Sequence, residues 1–138
     1  MKIFTANPEN NLTNEIAMTL LRIAVGCMMA FGHGMGKLPP QEGFIAGVSA
    51  LGFPAPVFFA WLAALAEFGG GLLLAAGLLT RFNAMALSVT MLVAAFGRHL
   101  DDPYKVKELS LLYLLVFILF MIKGSGRWSL DHFLSKKA

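Results

Sequence analysis

The chain has 138 residues, 57% of them hydrophobic and 14% charged, with a mean hydropathy of +0.69. Soluble domains carry about a quarter charged residues, so this composition excludes an ordinary water-soluble fold and points to a single membrane domain over residues 1–138. The formal charge of +3 is spread along the chain, which excludes the basic face of a nucleic-acid binder, and the single cysteine, Cys27, excludes an intrachain disulfide.

The first 13 residues read as a polar arm without the basic-then-apolar order of a cleaved signal. Thr13 or Asn14 can cap a first helix over about residues 16–37, long enough to cross a hydrocarbon core of ~30 Å. On that helix Arg22, Gly26, Met29, His33 and Lys37 share one stripe at helical spacing, opposite an aliphatic surface. A polar seam of this kind is expected to face other helices rather than lipid. Pro39-Pro40 ends the helix. Residues 41–51 then read as a short, half-apolar interfacial helix.

Helix 2, over about residues 56–79, gathers Ala60, Ala63, Ala64, Glu67, Gly70 and Gly71 on one side, and small residues so spaced let helix backbones approach closely. Glu67 stands near the middle of an apolar run. A carboxylate there costs roughly 2.5–3.5 kcal/mol on insertion scales, so it must face a protein interior and find a partner. Arg22 is the expected partner, locking helix 1 to helix 2 and setting the charge state of Glu67. Residues 80–83 read as a tight turn. Helix 3 follows over about residues 83–100, with His99 at its end, and Asp101-Asp102-Pro103 makes the break. Helix 4 spans about residues 105–122 with Glu108 one turn in. No internal repeat stands out.

The expected fold is thus all-α: a four-helix transmembrane bundle with a short interfacial helix between helices 1 and 2. Four crossings place both termini on one side. That side carries Lys2, Arg81, Lys123, Arg127, Lys136 and Lys137, against Lys37, Arg98, Lys105 and Lys107 on the other. The positive-inside rule then puts both termini in the cytoplasm. Arg81 and Arg127 read as topology anchors. His33, Lys37, His99 and Glu108 fall near the outer face and Glu67 deeper, so they are expected to converge on one outward-opening cavity.

The chain resembles the DoxX family of small integral membrane proteins. The resemblance rests on Arg22 with FGHGMGKL (Phe31 to Leu38), AEFGGGLLLAAGLLTR (Ala66 to Arg81), the His99 and Glu108 pair, and the closing GRWSLD (Arg127 to Asp131). Many relatives carry a longer Gly- and Asn-rich segment where this chain has the short DDPYKVKE after His99. The resemblance implies a four-helix membrane bundle, associated in some members with a quinone-linked thiosulfate-oxidising complex or with membrane complexes handling oxidative or thiol stress. Related branches act as cargo receptors or assembly factors.

The function expected from these residues is that of a small membrane subunit of a quinone-linked redox system. Glu67 and His33 would bind and deprotonate a quinol headgroup, Arg22, Lys37, His99 and Glu108 would complete the ligand site, and a separate protein would carry the electrons. No haem, flavin or iron–sulfur motif is visible. The alternative is a non-enzymatic receptor, assembly factor or small-solute conduit, whose small-residue faces would also suit a homo-oligomer. A third reading, a metal held by His33, Glu67, His99 and Glu108, lacks any local ligand motif such as HxxxH.

Overall fold

The computed structural model describes residues 11–136, and all regular structure among them is helical. The polar arm up to residue 10, Lys2 and Lys137 lie outside the described residues. Helix α1 runs as an α-helix over Asn11–Met29, widens into a π turn at Ala30–Gly34 and closes as a 3-10 turn at Met35–Lys37. Helix α2 is the short Glu42–Ala50. Helix α3 starts at Pro56, whose missing N–H suits a first turn, and spans Pro56–Leu65, a π turn at Ala66–Gly70, and Gly71–Ala76. Helix α4 is Thr80–Val93 with a π turn at Ala94–Arg98. Helix α5 is Tyr104–Lys123, and α6 is Leu130–Ser135.

Among the described residues three helices are long and apolar enough to cross a membrane: Leu12–Lys37, Pro56–Ala76 and Thr80–Arg98, of 26, 21 and 19 residues. At 1.5 Å per residue they span about 28–39 Å. The expectation of four crossings is met for three. In α5, Lys105, Lys107 and Glu108 precede, and Lys123 ends, an apolar run of only 14 residues, Leu109 to Ile122. That run reaches ~21 Å, short of the ~30 Å hydrocarbon thickness. The short helix α2 between two spans agrees with the sequence reading.

The core sits between α4 and α5. Leu87, Met91, Tyr113, Leu114, Phe117 and Phe120 are buried there with Met29 and Leu74 from α1 and α3. Helices α1 and α3 meet through glycine. A Cβ placed on Gly26 would lie 2.5 Å from the Gly71 carbonyl oxygen, and one on Gly71 would lie 2.8 Å from the Gly26 oxygen. Gly69 faces open space, so of the expected close-packing glycines it is Gly70 and Gly71 that are buried.

The turn between α3 and α4 falls earlier than the sequence suggested. Gly77 ends α3 at φ +73°, Leu79 follows at φ 49°, and Thr80 already begins α4. The reason is a remote cap. The Asp131 carboxylate accepts from the Leu79 and Thr80 amides at 2.7 and 3.0 Å, satisfying donors that a helix start leaves unpaired. Arg22 reinforces the same corner: its Nη2 donates to the Trp128 carbonyl at 2.8 Å and its Nη1 to that of Ser125. Glu15 accepts from the Arg127 amide at 2.9 Å, so the start of α1 and the carboxy-terminal segment share one end of the bundle.

Candidate functional site

At the other end, α1, α2, α3 and α4 enclose an apolar cavity of about 640 Å³. Phe44 and Val48 of α2 line it with Leu51, Phe53, Phe59 and Leu62, and Val89 and Val93 contribute from α4. Its polar wall is made by Lys37, Glu67, Thr90, Arg98 and His99. The Thr90 hydroxyl is already engaged, donating to the Ala86 carbonyl at 2.8 Å.

Lys37 and Glu67 form an ion pair. The ammonium lies 2.7 Å from both carboxylate oxygens; Glu67 is 2% exposed, and the Lys37 side chain remains 33% exposed. An ammonium has three N–H donors. Two point to Glu67, so one remains for a ligand oxygen. The Phe44 ring, 5.3 Å from the ammonium, places α2 over the pair. At the cavity's edge His99 Nδ1 lies 2.6 Å from Asp102 Oδ2. In the neutral tautomer whose Nδ1–H donates to that carboxylate, Nε2 is left as an acceptor.

These polar residues stand in or directly beyond the π turns. Glu67 lies inside the one in α3; Arg98 and His99 end the one in α4; Lys37 follows the one in α1. A π turn admits an extra residue, rotates the rest of the helix by roughly a quarter turn, and recurs at functional sites. In α1 that rotation breaks the stripe expected from Arg22 to Lys37. Lys37 turns to Glu67, whereas His33 packs edge-on to Tyr113 of α5, with ring centroids 5.5 Å apart.

The family model of DoxX matches residues 17–100. The chain belongs to the DoxX family. Among similar proteins, "Putative oxidoreductase CatD" of Bacillus subtilis (strain 168) is 33% identical over 127 residues, covering 91% of this chain and 92% of its own. "Inner membrane protein YqjF" of Escherichia coli (strain K12) is 35% identical over 108 residues, covering 75% and 82%. An uncharacterized membrane protein of Mycobacterium tuberculosis is 36% identical over 136 residues, covering 86% and 81%. No solved structure matches. The DoxX match takes in Lys37, Glu67, Arg98 and His99 and stops short of Asp102.

The structure therefore brings together three of the expected site residues, Lys37, Glu67 and His99. The expected Arg22–Glu67 pair is corrected. Arg22 lies about three turns from the level of Glu67 along α1 and is spent on backbone carbonyls at the opposite end. His33 lines α5 instead of the cavity, and Glu108 is exposed at the start of α5. Among the described residues no group of three or more His, Cys, Asp or Glu is placed to hold a metal, so the set His33, Glu67, His99 and Glu108 does not assemble. Sequence reasoning missed Arg98, Asp102 and the aromatic lining. A signal was present: the chain contains three Phe–Gly pairs, Phe31–Gly32, Phe68–Gly69 and Phe96–Gly97, and each lies in a π turn that opens on alanine.

Proposed function

We propose that this chain is a small inner-membrane subunit of a quinone-linked redox system, with the cavity beside Lys37 and Glu67 as its headgroup site. The observation that carries the reading is an ammonium with one N–H not taken by Glu67, on the polar wall of a largely apolar cavity. Its volume falls within the ~300–1,000 Å³ of small-molecule sites. Phe44, Phe53 and Phe59 suit a flat ring, and Lys37 suits its carbonyl or hydroxyl oxygen. The oxidoreductase name of the Bacillus relative supports the same direction.

A bound quinol would supply two electrons to a separate protein-borne carrier and release two protons. His99 Nε2 and the Glu67 carboxylate are the acceptors in reach of the cavity. Asp102 fixes the imidazole that receives one proton, and Lys37 holds the headgroup while offsetting the charge of Glu67 until it is protonated. The α2 helix covers one side of the site. In this reading α5 serves as the fourth crossing, with the stems of Lys105, Lys107 and Lys123 reaching out to the interfaces and the bilayer thinning to meet it. Both termini then face the cytoplasm.

The test is quinone content and binding in gently purified protein. Lipid extraction with mass detection should find a co-purified quinone, and a short-chain quinone should raise the melting temperature in the unaltered chain but not in Glu67→Gln or His99→Ala. The absence of both effects would sink the redox reading. It would leave a receptor or assembly role, for which the fully engaged Glu67 carboxylate is a structural tie between α1 and α3.

A further inference from the structure

A second cleft, of about 660 Å³, opens at the end of the bundle away from Lys37 and Glu67. Five elements contribute to it: Glu15 from α1, Thr80 and Arg81 from α4, Lys123 from α5, Arg127 from the following loop and Asp131 from α6. Its two carboxylates are already committed. Glu15 accepts from the Arg127 amide at 2.9 Å, and Asp131 caps α4 through the Leu79 and Thr80 amides.

The three cations are not so engaged. Arg81 makes one long bond, 3.4 Å, to the Ile122 carbonyl, and the ion pairs among the described residues are Lys37–Glu67 and His99–Asp102. Three positive charges thus line a cleft whose two negative charges are held by backbone. A separate observation marks the same place. Thr80 is 1% exposed, lines the cleft, and its hydroxyl has no hydrogen-bond partner. A buried hydroxyl without a partner is destabilising, and a ligand oxygen would relieve it.

We propose that this cleft binds a phosphate group through Arg81, Lys123 and Arg127, with the Thr80 hydroxyl as a further donor. Guanidinium forks match phosphate oxygens in geometry and charge, and a lysine adds a point charge. Phe82 also lines the cleft, and exposed Trp128, next in sequence to Arg127, is a residue of the kind that sits at headgroup level. Two sources carry the same chemistry: the headgroup of an anionic phospholipid, or a soluble phosphate compound.

The experiment uses the full chain in neutral detergent, with its melting temperature measured against phosphatidylglycerol, phosphatidylcholine or inorganic phosphate. Phosphatidylglycerol should raise it by several degrees more than equimolar phosphatidylcholine. The double variant Arg81→Gln/Arg127→Gln should lose most of that excess while responding to phosphatidylcholine as before, and Thr80→Val should reduce it. Added salt should weaken the effect, because the contacts are partly exposed charges. A shift reproduced by inorganic phosphate assigns the site to a soluble phosphate compound; one seen with the lipid alone assigns it to a headgroup. Equal shifts with all three additions, or a double variant that keeps the full excess, overturn the proposal. Should the variants fail to fold, native mass spectrometry of the unaltered chain decides it: preferential retention of phosphatidylglycerol over phosphatidylcholine, or of phosphate, supports the site, and retention of neither refutes it.

Discussion

Lys37 Nζ stands 2.7 Å from both oxygens of Glu67, joining the last turn of α1 to the π turn of α3. The two partners differ in access. Glu67 is 2% exposed, whereas a third of the Lys37 side chain is open, so a ligand entering the cavity meets the ammonium first. The pair therefore serves two ends at once: it neutralises an acid inside an apolar bundle and presents a donor to the cavity.

Removing either partner should have unequal effects. Lys37→Met strands a buried carboxylate, with a cost approaching the ~3–5 kcal/mol typical of broken buried pairs unless Glu67 takes up a proton. Glu67→Gln leaves an ammonium that can turn into the cavity and should cost about 1 kcal/mol. The double variant should cost less than the sum, with a coupling of about 1–3 kcal/mol. Equilibrium unfolding of the four proteins in micelles measures it, and strict additivity would show that the contact contributes nothing.

The two histidines should separate stability from binding. His33 sits edge-on to Tyr113, an arrangement worth about 0.5–1.5 kcal/mol between aromatic rings, so His33→Ala should lower stability and leave quinone affinity unchanged. His99→Ala should do the reverse, because His99 lines the cavity and touches the core little. Titration of both variants with a short-chain quinone checks this. Loss of affinity in His33→Ala with retention in His99→Ala would place the ligand elsewhere.

How much of this was legible follows from which residues were periodic and which were not. Of the expected face Ala60, Ala63, Ala64, Glu67, Gly70 and Gly71, all but the half-buried Ala63 are buried, and it was readable because small residues at helical spacing mark close helix contact. The short α2 helix was readable from the prolines around it. The partner of Glu67 was not, since choosing between Arg22 and Lys37 required the phase of α1 beyond residue 30, and the π turn at Ala30–Gly34 shifts that phase. The start of α4 was misplaced because its cap, Asp131, lies 51 residues from Thr80. The fourth crossing was legible only in part, because the charges flanking the apolar stretch of α5 leave it shorter than the other three.

Gly26 and Gly32 should respond oppositely to alanine. A Cβ on Gly26 would meet the Gly71 oxygen and the Ala75 amide nitrogen at 2.5 and 2.7 Å, both backbone atoms that cannot yield without separating α1 from α3. Gly26→Ala should therefore cost about 1–3 kcal/mol. Gly32 has nothing within 4 Å of that position, and Gly32→Ala should be neutral or add up to about 1 kcal/mol by restricting the unfolded chain. Melting temperatures of the two variants provide the comparison, and equal losses would contradict the packing.

Arg22 should be irreplaceable by lysine, and its loss should be felt at one end only. The residue is 2% exposed and its guanidinium divides its two Nη groups between the carbonyls of Ser125 and Trp128, while a Cβ on Gly77 would fall 2.5 Å from Nη1. A lysine ammonium lacks the planar fork that reaches two carbonyls. Each charged hydrogen bond lost is worth about 1.5–3 kcal/mol. With the carbonyls released, the segment carrying Asp131 loosens and the cap on α4 goes with it. Hydrogen exchange in Arg22→Lys should accelerate at Leu79, Thr80 and residues 125–135, and Asp131→Ala should reproduce the change at Leu79 and Thr80 alone. Exchange around Lys37, Glu67 and His99 should stay unchanged, because their contacts lie at the opposite end of the bundle. Acceleration spread evenly over both ends would mean that Arg22 acts through the whole bundle, as an Arg22–Glu67 tie would have required.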